Sequence, residues 1–112
     1  MNIIIRLIIT AAVAFGLSYI LPGIHIDTFG TALIVAVVLG LLNIIIKPIL
    51  VILTLPVTII TLGLFLFVIN ALIIIWGAKL IDGFSVDGFW WALIFSFLLS
   101  LVTSIISGGE KS

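Results

Sequence analysis

Cysteine is absent, which excludes a disulfide framework, a thiolate metal site and thiol catalysis. A single histidine provides no imidazole cluster for a metal ion. Charge is nearly as scarce, with four basic and four acidic residues among 112 and a formal net charge of zero. That balance offers no basic patch to nucleic acid. The chain also lacks a nucleophile–base pair, a glycine-rich phosphate loop and a cluster of metal ligands. Neither enzyme activity nor a cofactor is expected.

What fills the space is apolar. Hydrophobic residues make up 65% of the chain and charged residues 7%, whereas soluble domains are roughly half apolar and about a quarter charged. A chain this short cannot bury so much apolar surface in its own interior. The composition therefore predicts an all-α integral membrane protein whose first partner is the lipid bilayer. Arg6 followed by Leu7 to Phe15 imitates a secretory leader. The apolar run continues to Leu21, however, and no small-x-small cleavage pattern follows Pro22-Gly23, so the segment is read as a retained span.

Ile3 to Leu21 has about the ~20 residues needed to cross a bilayer core of ~30 Å. Gly23 to Asp27 then alternates apolar and polar side chains, the period of a strand. Asp27 or Thr28 is placed to cap a second helix, Phe29 to Ile46. A third apolar run covers Leu62 to Ile81 and ends at the Asp82-Gly83 turn signal. Phe84 to Asp87 alternates again, Asp87 is placed to cap, and Phe89 to Ile106 is the last helix. Ser107 to Ser112 reads as a polar tail.

Shifting the chain by 60 residues superposes Gly23, Asp27, Phe29, Ala32, Leu33 and Ile34 on Gly83, Asp87, Phe89, Ala92, Leu93 and Ile94. Thr10-Ala11 falls on Asn70-Ala71. We therefore expect one membrane domain made of a duplicated helix–strand–helix unit, an internal repeat of the kind membrane proteins often carry. Repeat 1 covers residues 1–46, a central segment 47–61, repeat 2 62–107, and a tail 108–112.

The central segment contains Lys47, Pro48 and Pro56 and leads to Gly63. Two prolines make a straight helix through both improbable, because each removes an amide donor and clashes with the preceding turn. Lys47, Pro48, Pro56 and Gly63 are the expected hinge, interfacial or re-entrant, and Thr54, Thr58 and Thr61 are spaced to bond freed carbonyls. If this segment does not cross, there are four spans, parallel repeats and both termini inside. If it does, there are five spans and inverted repeats. Basic residues score both topologies alike, three against one. Its thirteen helical residues cover only about 20 Å, which favours four.

Ala32, Ala36 and Gly40 form a small-residue stripe on the second helix, and Ala92, Ser96, Ser100 and Ser104 form one on the fourth. Such stripes let helix backbones approach within one chain, or else serve as subunit contacts or a polar pore lining. Asn43 and Asn70 are amides at membrane depth, each expected to find a partner across a helix interface. Asp27 and Asp87 are read as extracytoplasmic helix caps, or as a paired acidic site for a cation or proton. Lys47 is expected to reach the headgroups. Tyr19, Trp76, Trp90 and Trp91 are read as interfacial aromatics.

The pieces Leu21–Asp27, Asn43–Leu50, Leu53–Gly63, Ile69–Leu72 and Gly83–Leu93 resemble the four-span phage holin family (superfamily IV, YvlD-like), and the resemblance covers nearly the whole chain. Its most specific elements are Asn-x-x-x-Lys-Pro, Leu-Pro and Thr-Leu-Gly. The resemblance implies a small protein of the bacterial cytoplasmic (inner) membrane with four spans and cytoplasmic termini. It further implies a homo-oligomer that permeabilises the membrane. The alternative is a non-lytic envelope-stress or membrane-organising role beside another membrane protein. A small cation or proton conductor is the third reading.

Overall fold

A computed structural model describes residues 2–110, with side chains described through residue 106. The elements are α1 (Ile3–Ile20), β1 (Ile24–Ile26), α2 (Phe29–Leu53), α3 (Leu55–Ile60), α4 (Phe65–Leu80), β2 (Phe84–Val86) and α5 (Phe89–Glu110). Helices α1, α2 and α5 are long and apolar enough to cross a membrane, and α4 is a shorter apolar helix.

Local chemistry sets the boundaries. The Asn2 side chain accepts the Ile4 amide and caps α1. Pro22 disfavours a helical conformation at Leu21, which lies in extended backbone and closes the helix. Thr28, not Asp27, caps α2 by accepting the Thr31 amide through Oγ1 at 3.1 Å. The hydroxyl reaches the amide three residues on, while the Asp27 amide is taken up by the Gly83 carbonyl.

The strands β1 and β2 pair antiparallel in the register Ile24–Val86, His25–Ser85 and Ile26–Phe84. His25 thus faces the residue 60 positions beyond it, and the Ile24–Val86 and Ile26–Phe84 pairs lie symmetrically on either side of that centre. The flanking bonds follow suit: the Asp27 amide donates to the Gly83 carbonyl at 3.0 Å and the Asp87 amide to the Gly23 carbonyl at 2.8 Å. An isolated two-stranded ribbon is marginal in water. This one is held down by the buried Ile24, Ile26 and Phe84.

Below the ribbon, α1 packs on α2 and α4 on α5, with α2 against α4 and α1 against α5 across the centre. Ala11, Ala14, Ala32, Ala36, Ala71, Ala92 and Ser96 are all buried where the helices meet. Small side chains permit that approach, and in lipid, packing rather than water exclusion holds helices together. Phe95, Val35, Ile69 and Ile73 fill the remaining volume. The packed core therefore occupies the ribbon half of the bundle.

The proline-containing segment departs from expectation. Helix α2 runs through Lys47 and Pro48 to Leu53 instead of ending at Ile46. Pro48 costs it a single bond, and a lipid-embedded helix tolerates this when its neighbours remain paired. The break falls at Thr54, because Pro56 would collide with the carbonyl of residue 52 if the helix continued. In the first turn of α3 the same proline is compatible, since no amide is needed there. Thr54 Oγ1 donates to the Leu50 carbonyl at 2.7 Å, and Thr61 Oγ1 donates to the Val57 carbonyl at 3.0 Å. Thr58 Oγ1 is buried without a partner among the described residues, contrary to the role expected of it.

Helix α3 ends in a Schellman closure. The Gly63 amide donates to the Thr58 carbonyl and the Leu62 amide to the Ile59 carbonyl. Leu62 takes the left-handed conformation, with φ 57°. The next helix starts at Phe65, three residues later than Leu62. Helix α5 continues through residues 107–110, where a polar tail was expected. The rest of that expected tail, residues 111–112, lies outside the described residues.

Candidate functional site

The end of the bundle away from the ribbon is open. A cavity of about 450 Å³ lies there between α1, α2, α4 and α5. It starts at Ala36 and runs along α2 as far as Lys47, eleven residues or about 16 Å of helix. Leu39, Leu99, Ile73 and Ile74 line its apolar inner part. Arg6 of α1 and Lys47 of α2 stand nearest the open end.

Between those levels the walls are polar. Thr10, Asn43, Asn70 and Thr103 line the cavity, with Gly40, Ser96 and Ser100 deeper in. Thr10 and Asn70 are 60 residues apart, as are Asn43 and Thr103, Ala36 and Ser96, Leu39 and Leu99, and Gly40 and Ser100. The wall is thus made of matching positions from the two halves of the chain. The cations break the match: Leu66 and Ser107 stand 60 residues beyond Arg6 and Lys47. Among the described residues no carboxylate lines the cavity.

Proton donors remain available in this space. Thr103 and Ser96 spend their hydroxyl protons on the Leu99 and Leu93 carbonyls of their own helix. Among the described residues the side chains of Asn43, Asn70, Thr10 and Ser100 make no protein hydrogen bond. The expected amide partners across a helix interface are therefore not formed. Both amides line the cavity instead, without a protein partner among the described residues.

The remaining expected site residues divide between the two ends. Ala32, Ala36, Ala92 and Ser96 are buried within the single chain and hold its helices together, so they are not free for contact between copies. Gly40 and Ser100 line the cavity, and Ser104 is exposed on α5. Lys47 lines the cavity opposite α1, and Lys47-Pro48 is helical rather than a hinge. Pro56 and Gly63 do sit at chain breaks.

At the ribbon end, His25 Nε2 lies 3.1 Å from both carboxylate oxygens of Asp87. Asp87 is thus engaged by the neighbouring strand rather than acting as a cap. No group of three or more metal-binding side chains occurs among the described residues. Trp91 is half-buried and packs on Gly23, unlike the exposed Tyr19, Trp76 and Trp90.

Sequence reasoning missed Arg6, Thr10 and Thr103 as cavity residues. The signal was present in the 60-residue shift, which places polar on polar at positions 10 and 70 and again at 43 and 103 within otherwise apolar helices.

Lipid-length apolar helices around a cavity with a band of polar side chains define a small integral membrane protein of helical-bundle type. The chain belongs to the family described as Mycobacterial 4 TMS phage holin, superfamily IV, which matches residues 1–105. It is 41% identical over 106 residues to "Uncharacterized membrane protein YvlD" of Bacillus subtilis (strain 168), covering 94% of this chain and 89% of that protein. It is also 46% identical over 77 residues to "Uncharacterized protein SCO3922" of Streptomyces coelicolor (strain ATCC BAA-471 / A3(2) / M145). That match covers 65% of this chain and 62% of that protein. No solved structure matches the chain.

Proposed function

We propose that the chain is a four-span protein of the bacterial cytoplasmic membrane. In this reading its halves are two copies of one hairpin in parallel orientation, and its termini and cavity face the cytoplasm. It self-associates, and any passage it opens through the membrane runs between copies rather than through one. The observation that carries this is the packed ribbon half: Phe95, Val35, Ile24 and Ile69 are buried across the centre of the bundle. A single chain therefore has no continuous polar path.

Other features support the arrangement. The 60-residue offset in the strand register suits two parallel repeats related by an axis along the membrane normal. Helix α3, six residues long, covers only about 9 Å and is too short to span. Arg6 and Lys47 lie at the open end and Lys79 in the last turn of α4 at the ribbon end, an excess of positive charge on the proposed inner side. Membership of the holin family supports permeabilisation as part of this reading.

Controlled induction in cells carrying a potential-sensitive dye tests the reading. Depolarisation should rise more steeply than in proportion to the amount of protein, and cross-linking should trap multimers over the same range. A membrane potential unchanged at high expression removes permeabilisation. A strictly proportional response with monomers alone removes passage between copies.

A further inference from the structure

We infer that the cavity at the open end binds the phosphate headgroup of an anionic membrane lipid. This goes beyond the reading above and holds whether or not copies associate. Arg6 and Lys47 reach the same cavity from antiparallel helices, and among the described residues no carboxylate lines it. Among the described residues the one ion pair is His25–Asp87, at the opposite end of the bundle.

Two cations at the mouth of a cavity between lipid-facing helices, with no carboxylate among its described lining residues, are arranged for an anion. The guanidinium offers a planar fork that matches two phosphate oxygens, and the ammonium adds a point charge. Below them the amides of Asn43 and Asn70 supply uncharged donors. Basic pockets between membrane helices recognise anionic headgroups by this combination.

The walls assign the phosphate to a lipid rather than to a soluble ion. Ile3 and Ile44 line the same cavity yet are 68% and 70% exposed on the outside of the bundle. They form an apolar rim that continues onto the lipid-facing surface. A headgroup seated at Arg6 and Lys47 leaves its chains against that rim. A zwitterionic choline headgroup would bring its own cation against Arg6 and Lys47 and bind less well.

The test is lipid retention by the purified, delipidated full-length chain. It is mixed with phosphatidylglycerol or phosphatidylcholine, and bound lipid is read by native mass spectrometry. Phosphatidylglycerol should be retained preferentially. Each basic residue removed should weaken retention about fivefold, so Arg6→Gln with Lys47→Gln should weaken it roughly 25-fold. Lys79→Gln should change nothing, and R6K with K47R should retain the lipid. If the double glutamine variant does not fold, Lys47→Gln alone should show the fivefold loss. Equal retention by wild type and Lys47→Gln, or equal loss in Lys79→Gln, overturns the proposal. Displacement of the lipid by millimolar inorganic phosphate overturns its assignment to a lipid.

Discussion

His25 and Asp87, 62 residues apart in sequence, join the two halves of the chain through Nε2 at 3.1 Å from either carboxylate oxygen. The pair sits on the ribbon with side chains 52% and 54% exposed. An ion pair this wet is worth at most about 1 kcal/mol. His25→Ala and Asp87→Ala should therefore each lower the melting midpoint in detergent by only a few degrees and leave the helical signal intact. A loss of fold in either variant would mean that the ribbon depends on this pair rather than on Ile24 and Phe84.

Gly23 should be far less tolerant. A Cβ there would overlap the Trp91 indole, so the indole must move. We expect Gly23→Ala to cost roughly 1–3 kcal/mol, the usual range for overpacking. Adding Trp91→Ala should recover much of it, a non-additivity that a double-mutant cycle in detergent measures directly. Gly16→Ala meets nothing within 4 Å and lies inside α1, so it should instead stabilise the protein.

Leu62 carries backbone strain. It adopts φ 57° and is 92% exposed, so its side chain contributes little burial to offset the left-handed conformation. Leu62→Gly should raise stability by about 1 kcal/mol, and Leu62→Val should lower it because β-branching crowds that region. Comparing unfolding midpoints of the three proteins in mixed detergent micelles checks both signs.

The absence of native cysteine makes topology directly measurable. Ser85→Cys on the ribbon and Leu62→Cys after α3 should react with a membrane-impermeant maleimide from opposite sides of the membrane. In intact spheroplasts only the ribbon cysteine should label. Labelling of the Leu62 cysteine instead of the ribbon cysteine would place the central segment across the bilayer.

The membrane setting and the helical runs were legible in the residues, because composition and spacing act locally. Thr28 and Gly63 mark element ends for the same reason. The course of the chain through Pro48 was less legible. A single proline removes one bond, and whether a helix survives that depends on what packs beside it. The small stripes showed where backbones could approach but not against what.

Apolarity by itself determined that these side chains face hydrocarbon, since 112 residues enclose too little volume to hide them. Which residues meet across the bundle was decided only by the tertiary structure. Arg6 and Lys47, 41 residues apart, share a cavity because α1 and α2 run antiparallel. His25 reaches Asp87 because two short strands chose one register. Distance along the chain carries no record of either meeting, and helix packing does.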